Sequence, residues 1–309
     1  MLSKYYHYAG DAALAAAAAT SPAPPALALS RLRDLLTAQG RGAIKIEPAR
    51  FASTLGVLYA LTLDGKEYIV KTHLPGRAYY DNLIKEYEIL SLLYGDLLEI
   101  ALVGGGENPA NADLPADGSK NVYIMMETLA PLSEKPAPAT VRGLLARIRE
   151  KTHNKEIKSG YNFADILRQT SLCAEKLSDR RLISRDAANT CGEYLRALEG
   201  AAQEPPVLCH GDLSNKNIMT RRGEFVFIDW EDAFWGVADY DYCYWLTFLD
   251  QRSYYDQDPL GLNSHNLEYS KALMVMIVLM KSWISVANNA MAANKVTFDE
   301  RLGEIFRIK

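Results

Sequence analysis

The most chemically informative stretch of this 309-residue sequence is CHGDLSNKNIMTRRGEFVFIDWEDAFWG, which begins at Cys209. It places His210, Asp212 and Asn217 at H-x-D-x-x-x-x-N spacing, and Asp229 follows after the apolar run FVFI. A carboxylate in a polar loop after an apolar strand lies at the edge of a core, where it can align a substrate hydroxyl or accept its proton. The amide and the second carboxylate are hard oxygen ligands, which suit Mg²⁺.

These residue types in this order predict phosphoryl transfer. That reaction needs a carboxylate that positions the nucleophile, ligands for a metal ion, and positive charge that neutralises the phosphates. Each Asp or Asn alone would more often be a turn former, because both residue types are common in turns. The complete string H-G-D-x-x-x-x-N-I, followed by a strand and I-D-W-E, is too specific for that alternative.

The strings HGDLSNKNIM and FVFIDWEDA resemble the catalytic and metal-binding segments of the aminoglycoside phosphotransferase/choline kinase family, a branch of the protein-kinase-like fold. The resemblance is sharp over about residues 205–245 and follows the family's order of elements over roughly 30–295. Ser214 stands where protein kinases carry a lysine, and no D-F-G or A-P-E segment is recognisable in the sequence. These departures argue against a protein kinase and favour an enzyme that phosphorylates small molecules.

The resemblance implies a role for each polar residue of this stretch. Asp212 is the expected catalytic base, and Asn217 and Asp229 are the expected Mg²⁺ ligands. His210 is expected to orient the loop, and Asp241 is expected to buttress it without reacting. ATP is the implied phosphate donor, with GTP as the alternative.

The resemblance also points to residues nearer the N-terminus. Lys71, in YIVKTH, stands on a predicted third strand, where the family places the lysine that contacts the α- and β-phosphates. Its helix partner is expected to be Glu86 in KEYEIL, with Glu88 as the alternative. The METL segment is expected to present backbone groups from Glu127 to Leu129 to the adenine.

The loop that covers the phosphates departs from the usual glycine pattern. ARFASTLGVLY contains Gly56 alone rather than G-x-G-x-x-G. Ser53 and Thr54 are the expected replacements, since they offer hydroxyl and backbone donors. A degenerate loop is common in this family, so the departure bears on the loop residues more than on the family.

The residues that select the acceptor are expected in the stretch after Asp229, which is rich in aromatic and acidic side chains. Such side chains suit a cationic alcohol, through ion pairs and cation–π contacts. They equally suit the packing of a helical core, in which Trp and Tyr are common. The candidate substrate-contacting residues are Trp230, Glu231, Asp232, Trp235, Tyr244 and Trp245.

The sequence therefore predicts an ATP- and Mg²⁺-dependent O-phosphotransferase that moves the γ-phosphate to a hydroxyl of a small molecule. A cationic amino alcohol such as choline or ethanolamine is the preferred acceptor. An aminoglycoside or sugar kinase of the same family is the alternative. A kinase-like nucleotide-binding module without activity is the alternative of another class.

The elements that must position these residues divide the chain into a sheet-rich and a helix-rich part. Residues 43–73 are rich in β-branched and aromatic residues, with a hairpin signal at Asp64-Gly65. Residues 101–121 are predicted to be a turn-rich loop at the tip of another hairpin, ahead of a buried strand. The predicted helices are residues 28–39, 80–94, 139–153, 163–178, 184–199 and about 264–294.

This order predicts an α+β fold of two lobes, an N-terminal antiparallel sheet lobe with one main helix and a helical C-terminal lobe. The connector SEKPAPAT, residues 133–140, is the expected lobe boundary. Residues 1–27 are expected to be a flexible Ala/Pro-rich N-terminus, 28–130 the nucleotide-binding N-lobe, and 131–309 the catalytic and substrate-binding C-lobe.

Composition argues against several other classes of protein. The formal net charge of -4 provides no basic footprint for nucleic acid. The longest apolar run, ALMVMIVLM from Ala272, is too short to span a bilayer and indicates a buried core helix. The four cysteines form no C-x-x-C pair, as expected for the reduced thiols of a cytoplasmic protein. The expected partner is a small-molecule alcohol.

Overall fold

The computed structural model of the chain supports a description of most of the two lobes. It describes residues 25–40, 44–48, 56–73, 80–104, 122–159, 161–200, 205–255, 267–287, 291 and 295–308. Ser53 and Thr54, the predicted donors of the phosphate-covering loop, lie outside these residues, as does the segment 1–24.

The N-terminal part is a five-stranded antiparallel sheet in the order β1-β2-β3-β5-β4. The predicted hairpin is confirmed, because Asp64 and Gly65 both take positive φ, at 50° and 78°, as the tight two-residue turn requires. The elements are α1 (Pro25–Ala38), β1 (Ile44–Pro48), β2 (Gly56–Leu63), β3 (Lys66–His73), α2 (Tyr80–Tyr94), β4 (Ile100–Gly104) and β5 (Val122–Glu127).

The predicted hairpin around residues 101–121 is confirmed by the antiparallel pairing of β4 with β5, but the predicted loop is wrong at its beginning. Ile100–Gly104 is strand β4, which pairs with β5, and the Val103 side chain is buried in the sheet core. The local glycines suggested a turn, but the pairing with β5 and the burial of Val103 decide the conformation. The rest of the predicted loop, 105–121, lies outside the described residues.

The C-terminal part is mainly helical. Three of the predicted helices there are confirmed to within a few residues, whereas the last is confirmed over Leu267–Ala287, and residues 264–266, 288–290 and 292–294 lie outside the described residues. Short 3₁₀ turns are formed by Asn215–Asn217, Trp230–Asp232 and Leu249–Tyr254. The other elements are β6 (Ala130–Pro131), α3 (Pro138–Thr152), α4 (Phe163–Asp179), α5 (Arg185–Ala197), β7 (Val207–Cys209), β8 (Ile218–Arg221), β9 (Glu224–Phe227), β10 (Phe234–Gly236), α6 (Tyr240–Leu246), α7 (Leu267–Ala287) and α8 (Phe298–Phe306).

Helix α3 begins inside the predicted connector. Pro138 occupies its first turn, where the missing N–H would have no partner in any case and the fixed φ suits the helix. The connection between the two parts is therefore shorter than SEKPAPAT suggested.

The two largest apolar cores lie on the N-terminal sheet and in the C-terminal helical part, and helix α2 packs against both parts. Helix α1 packs Leu32 and Leu36 against the sheet, while α7 forms the centre of the C-terminal core. Helix α7 is long and apolar enough to cross a membrane, yet most of its side chains are buried against neighbouring helices, as in a core helix. Helix α2 packs Leu83 against the sheet and Leu90 into the C-terminal core. The residues of α2 between these two leucines are therefore fixed in position.

This architecture confirms the predicted α+β fold, with an antiparallel sheet lobe followed by a helical lobe. The short hairpin β8–β9 lies in the helical lobe and leads directly into Asp229. The strand β7 leads into His210, and it pairs with β10. The polar stretch of the sequence thus forms two adjacent loops at the ends of short strands.

Candidate active site

The loop after β7 is held in shape by His210, whose side chain is completely buried. Its backbone N–H donates to Asp241 Oδ2 at 2.6 Å, and its ring Nε2 lies 2.8 Å from the Ile228 carbonyl. The Asp212 N–H donates to the ring Nδ1 at 3.3 Å. Nδ1 therefore accepts and Nε2 donates, so both ring nitrogens are used within the protein.

Gly211 permits a close approach between this loop and the next one. It has φ of +83° and donates its N–H to Asp241 Oδ1 at 3.0 Å. A Cβ atom at this position would lie 2.2 Å from the Asp232 carbonyl oxygen. Any other residue would thus combine an unfavourable φ with a backbone clash, so the glycine of H-G-D is required by geometry.

Asp241 stands in the first turn of α6 and is buried, with 5% of its surface exposed. Burial raises the pKa of its carboxyl above the ordinary value, while the backbone N–H groups of His210 and Gly211 limit that rise. Its two oxygens each accept one loop N–H, which leaves it as an anchor of the loop rather than a group facing a substrate.

Asp212 is half-buried, whereas its neighbours Gly211 and Leu213 are buried. The Tyr244 hydroxyl donates to its Oδ1 at 2.7 Å, and the Asn217 side-chain amide donates to its backbone carbonyl at 2.8 Å. The 3₁₀ turn after it, closed by the Asn217 N–H to the Ser214 carbonyl, brings Asn217 back beside Asp212. The spacing D-x-x-x-x-N thus places the two side chains at one loop.

A lysine surrounded by three carboxylates lies between the lobes. Lys71 Nζ on β3 is 2.7 Å from Glu86 Oε2, 2.6 Å from Asp229 Oδ1 and 2.6 Å from Glu231 Oε1. Burial alone would lower the pKa of Lys71, but the three carboxylates outweigh it and hold that pKa well above the ordinary value. Lys71 is therefore a fixed positive charge at this position.

Glu86, rather than the exposed Glu88, is the helix partner of Lys71. Its second oxygen accepts the backbone N–H of Asp229 at 3.0 Å, and Asp229 itself adopts a left-handed conformation with φ of 68°. Burial raises the pKa of Glu86, against the opposing charge of Lys71. One glutamate thus orients both the lysine and the strained turn that carries Asp229.

Carboxylate oxygens of Glu86, Asp229 and Glu231 lie within 4.8 Å of one another and could hold a metal ion. Glu231 belongs to this cluster rather than to a substrate surface, since 5% of it is exposed and it pairs with Lys71. Glu231 was predicted among the substrate-contacting residues, whereas the structure places its carboxylate beside Lys71. The available signal was the I-D-W-E spacing, because the 3₁₀ turn from Trp230 brings Glu231 to the same side as Asp229.

The prediction that Trp230 and Trp245 contact a substrate is wrong, because neither has exposed surface. The Trp230 indole donates to the Phe227 carbonyl at 2.7 Å, and its ring lies 4.6 Å from that of His210. The Trp245 indole donates to Asn215 Oδ1 at 2.7 Å. Both are core aromatics whose polar ends are satisfied from within.

Three of the remaining substrate candidates are also enclosed or partly enclosed. Asp232 and Tyr244 are buried, and the Asp232 backbone carbonyl accepts a hydrogen bond from the Tyr161 hydroxyl. Trp235, on β10, is half-buried and donates its indole N–H to the Ile157 carbonyl at 2.8 Å. Of the six candidates, Trp235 alone is half-buried rather than buried, so the six do not form one exposed surface, and substrate contact by Trp235 stays a prediction.

The predicted adenine-facing segment is partly engaged with the sheet. The Glu127 N–H donates to the Glu99 carbonyl at 3.0 Å, and the Glu127 carboxylate pairs with Arg221 of β8. The hydrogen bond from Arg221 lowers the pKa of the Glu127 carboxyl. Leu129 is buried, and Gly56 begins β2 opposite His73. The Glu127 N–H is therefore not a donor for a nucleotide in this conformation.

Comparisons with known proteins bear on the family and the fold of the chain. A family model described as the phosphotransferase enzyme family matches residues 52–259, more than half of the chain. No curated protein sequence gives a significant match. The match range includes Lys71, Glu86 and the whole of both loops that carry Asp212 and Asp229.

Several solved structures share the fold at low sequence identity. Choline kinase LicA from Streptococcus pneumoniae is 15% identical, with a TM-score of 0.57 over 91% of this chain and 98% of that one. Amicoumacin kinase, in complex with AMP-PNP, Ca²⁺ and its substrate, is 14% identical with a TM-score of 0.57, over 91% and 94%. A thermostable aminoglycoside phosphotransferase in a ternary complex with AMP-PNP and hygromycin B is 12% identical with a TM-score of 0.57, over 89% and 96%.

These likenesses establish the kinase-like fold of small-molecule kinases, and the family match covers both loops of the site. The chain belongs to the phosphotransferase enzyme family.

Proposed function

We propose that the protein is an ATP- and Mg²⁺-dependent O-phosphotransferase that transfers the γ-phosphate to a hydroxyl of a small molecule. The observation that carries this proposal is the contact of Lys71 Nζ with both Glu86 and Asp229, close to the loop of Asp212. Phosphoryl transfer is catalysed mainly by positioning and by charge, and this arrangement supplies a fixed cation, metal-binding oxygens and a carboxylate for the acceptor.

The donor set fits a magnesium nucleotide. Hard carboxylate and amide oxygens are the protein ligands that Mg²⁺ prefers, and Asn217 and Asp229 are the residues we assign to it. Glu231 stands close enough to Asp229 to act as a further ligand. Lys71, held by Glu86, is assigned to the phosphates. Bound Mg²⁺ would supply charge neutralisation on the phosphate oxygens.

Asp212 is the residue we assign to the acceptor hydroxyl. Its carboxylate stands in the loop beside Asn217, while the neighbouring His210 is buried with both ring nitrogens engaged. Asp212 can therefore accept the hydroxyl proton or align the hydroxyl, whereas His210 cannot reach a substrate in this conformation. We assign nucleotide binding to residues 28–130 and catalysis with acceptor binding to residues 131–309.

The acceptor class that we propose is a cationic alcohol, with choline or ethanolamine first and aminoglycosides or neutral sugars as the alternatives. Two of the related structures are a choline kinase and an aminoglycoside phosphotransferase, both acting on cationic alcohols. The net charge of -4 is compatible with such an acceptor. The burial of the predicted aromatic contacts removes the argument for choline that rested on them.

The state of the four cysteines bears on the cellular compartment of the protein. Cys173, Cys191, Cys209 and Cys243 are buried and form no disulfide. Burial raises the pKa of the Cys173 and Cys191 thiols to about 12, which keeps both thiols protonated and unreactive near neutral pH. Unpaired, protected thiols fit the reducing cytoplasm, where we place the protein.

The proposal is tested by a phosphorylation screen over amino alcohols, aminoglycosides and sugars with Mg-ATP and Mg-GTP. The wild-type protein is compared with Asp212→Ala, and product is identified by mass. We expect the wild type to phosphorylate at least one small alcohol, and the variant to lose that activity while it still binds nucleotide. A wild type that binds nucleotide but neither phosphorylates an acceptor nor hydrolyses ATP would be a binding module instead.

A further inference from the structure

One face of the short helix α6 contacts three consecutive residues of the catalytic loop. Asp241 and Tyr244 are three positions apart and therefore point to the same side of the helix. Asp241 accepts the N–H groups of His210 and Gly211. The Tyr244 hydroxyl donates to Asp212 Oδ1 at 2.7 Å, which is a short hydrogen bond to the carboxylate that we assign to the acceptor.

The ring of Tyr244 is itself held from the core. It is 3% exposed, and Lys281 Nζ of α7 lies 3.7 Å from its centroid. The same Nζ donates to the Tyr244 carbonyl at 3.1 Å and to Thr247 Oγ1 at 2.8 Å, at the C-terminal end of α6. The Phe248 ring packs edge-on at 5.9 Å between centroids. A cation that lies over the ring and donates to a carbonyl near the C-terminal end of the helix thus restricts where the hydroxyl points.

We propose that Tyr244 is a positioning residue for Asp212, and that Lys281 fixes Tyr244 from helix α7. The inference rests on the proposed function, because it concerns how Asp212 aligns the acceptor hydroxyl. A carboxylate group can rotate about its Cβ–Cγ bond, and a donor held on Oδ1 restricts that rotation. The direction in which Oδ2 accepts a hydroxyl is then defined, which is what alignment of a nucleophile requires.

The direct test is Tyr244→Phe, which removes one hydroxyl and keeps the ring. We expect kcat to fall about 10-fold to 100-fold, since misplacement of a reacting group by a fraction of an ångström has effects of this order. The Kd for Mg-AMP-PNP should stay within about twofold, because the Tyr244 hydroxyl donates to Asp212, whereas Lys71 is held by Glu86.

The matched control is Tyr242→Phe, on the same helix. Its hydroxyl accepts a hydrogen bond from Arg142 at 3.1 Å, and it is as buried as Tyr244. We expect the control to retain kcat within about twofold, since its bond lies away from Asp212. Lys281→Met is the second test variant, and it keeps a long unbranched side chain but removes the cation. A smaller fall in kcat at unchanged nucleotide Kd is expected.

The measurements for each protein are kcat, acceptor KM, nucleotide Kd and Tm. A fall in kcat for Tyr244→Phe at unchanged nucleotide Kd and Tm, without a fall for Tyr242→Phe, supports the inference. Wild-type kcat in Tyr244→Phe overturns it. Equal losses in both phenylalanine variants, in step with Tm, also overturn it, because the hydroxyl would then matter for folding alone. A wild type that phosphorylates no acceptor contradicts the proposed function, and this inference fails with it.

Discussion

The two halves of the site are assembled in different ways. The catalytic loop is tied to a nearby helix, with Asp241 31 residues from His210 and Tyr244 32 residues from Asp212. The cluster around Lys71 joins β3 to partners 15 and 158 residues away. The loop is therefore a property of the helical lobe, whereas the cluster exists only when the sheet, α2 and the helical lobe are packed together.

The two halves also differ in the forces that hold them. The loop is held by hydrogen bonds to backbone N–H groups and by a backbone approach that only glycine allows. The cluster holds one lysine against three carboxylates in a partly buried space, so Coulomb attraction dominates there. We therefore expect substitutions that change side-chain size to disturb the loop most, and substitutions or pH changes that alter charge to disturb the cluster most.

The largest effect is expected from Lys71→Met, which leaves three carboxylates together without their cation. Removal of one partner of a buried ion pair costs about 4 kcal/mol of stability. We expect turnover to fall by about 100-fold or more, because a charge aimed at the phosphates is lost. Urea unfolding and steady-state kinetics measure the two effects. The matched control is Lys66→Met on the same strand. The partner of Lys66, Glu99, is exposed, so this variant should keep both the stability and the turnover of the wild type.

The loss of stability in Lys71→Met should depend on pH. Burial raises the pKa of Glu86 to about 7 even with Lys71 beside it, and loss of the lysine should raise that pKa further. Above pH 7 the folded variant then binds more protons at Glu86 than the folded wild type, so its stability relative to the wild type recovers as the pH falls from about 9 to about 7. A difference in unfolding free energy that is constant over this range would contradict the electrostatic account of the cluster.

The next largest effect is expected from Gly211→Ala in the loop. Its Cβ would lie 2.2 Å from a backbone oxygen that cannot move away easily, at φ of +83°. We expect a loss of about 3 kcal/mol, from backbone strain and overpacking together. Gly223→Ala has nearly the same φ, +82°, but no atom within 4 Å of the added methyl, so strain alone should cost about 1 kcal/mol. Equal losses in these two variants would show that the close approach of the loops is unimportant.

The smallest effect concerns Lys85, the buried neighbour of Glu86 on α2. Its Nζ donates to the Ala233 carbonyl at 2.7 Å, and burial lowers its pKa to about 8, although Asp232 opposes this. Between pH 8 and 10 the unfolded chain holds this proton and the folded protein does not, so folding stability rises with pH by up to about 1.4 kcal/mol per unit. The difference between wild type and Lys85→Met in unfolding free energy should therefore change across that interval. If the unfolding free energies of the two proteins changed in parallel with pH, the lowered pKa of Lys85 would be refuted.

Much of this structure could be predicted from the sequence. The hairpin at Asp64-Gly65 and the helical periods were sufficient for the fold, because local turn chemistry and apolar spacing agreed with the tertiary structure. The loop of Asp212 was identifiable because its residues are close in sequence and have distinctive types. The hairpin of β4 and β5 was also expected, but the end of β4 was placed too early, because the extent of its pairing with β5 is not encoded locally.

The substrate surface and the role of Glu231 could not be predicted in the same way. Aromatic and acidic residues after Asp229 have the same composition whether they line a cleft or fill a core, and most of them fill the core. Glu231 reaches Lys71 only through a 3₁₀ turn and a strand far away in sequence. The role of Tyr244 could not be predicted either, because its hydroxyl reaches Asp212 only when α6 packs against the catalytic loop.

The most direct test of the division between loop and cluster is to measure nucleotide Kd and kcat together in the wild type, Asp212→Asn and Lys71→Met. We predict that Asp212→Asn binds Mg-AMP-PNP within about twofold of wild type while transfer falls by about 1000-fold, and that Lys71→Met is impaired in both. Asp212→Asn that still transfers phosphate to the acceptor at a rate near that of the wild type would contradict the assignment of Asp212 and the proposed phosphotransfer centre.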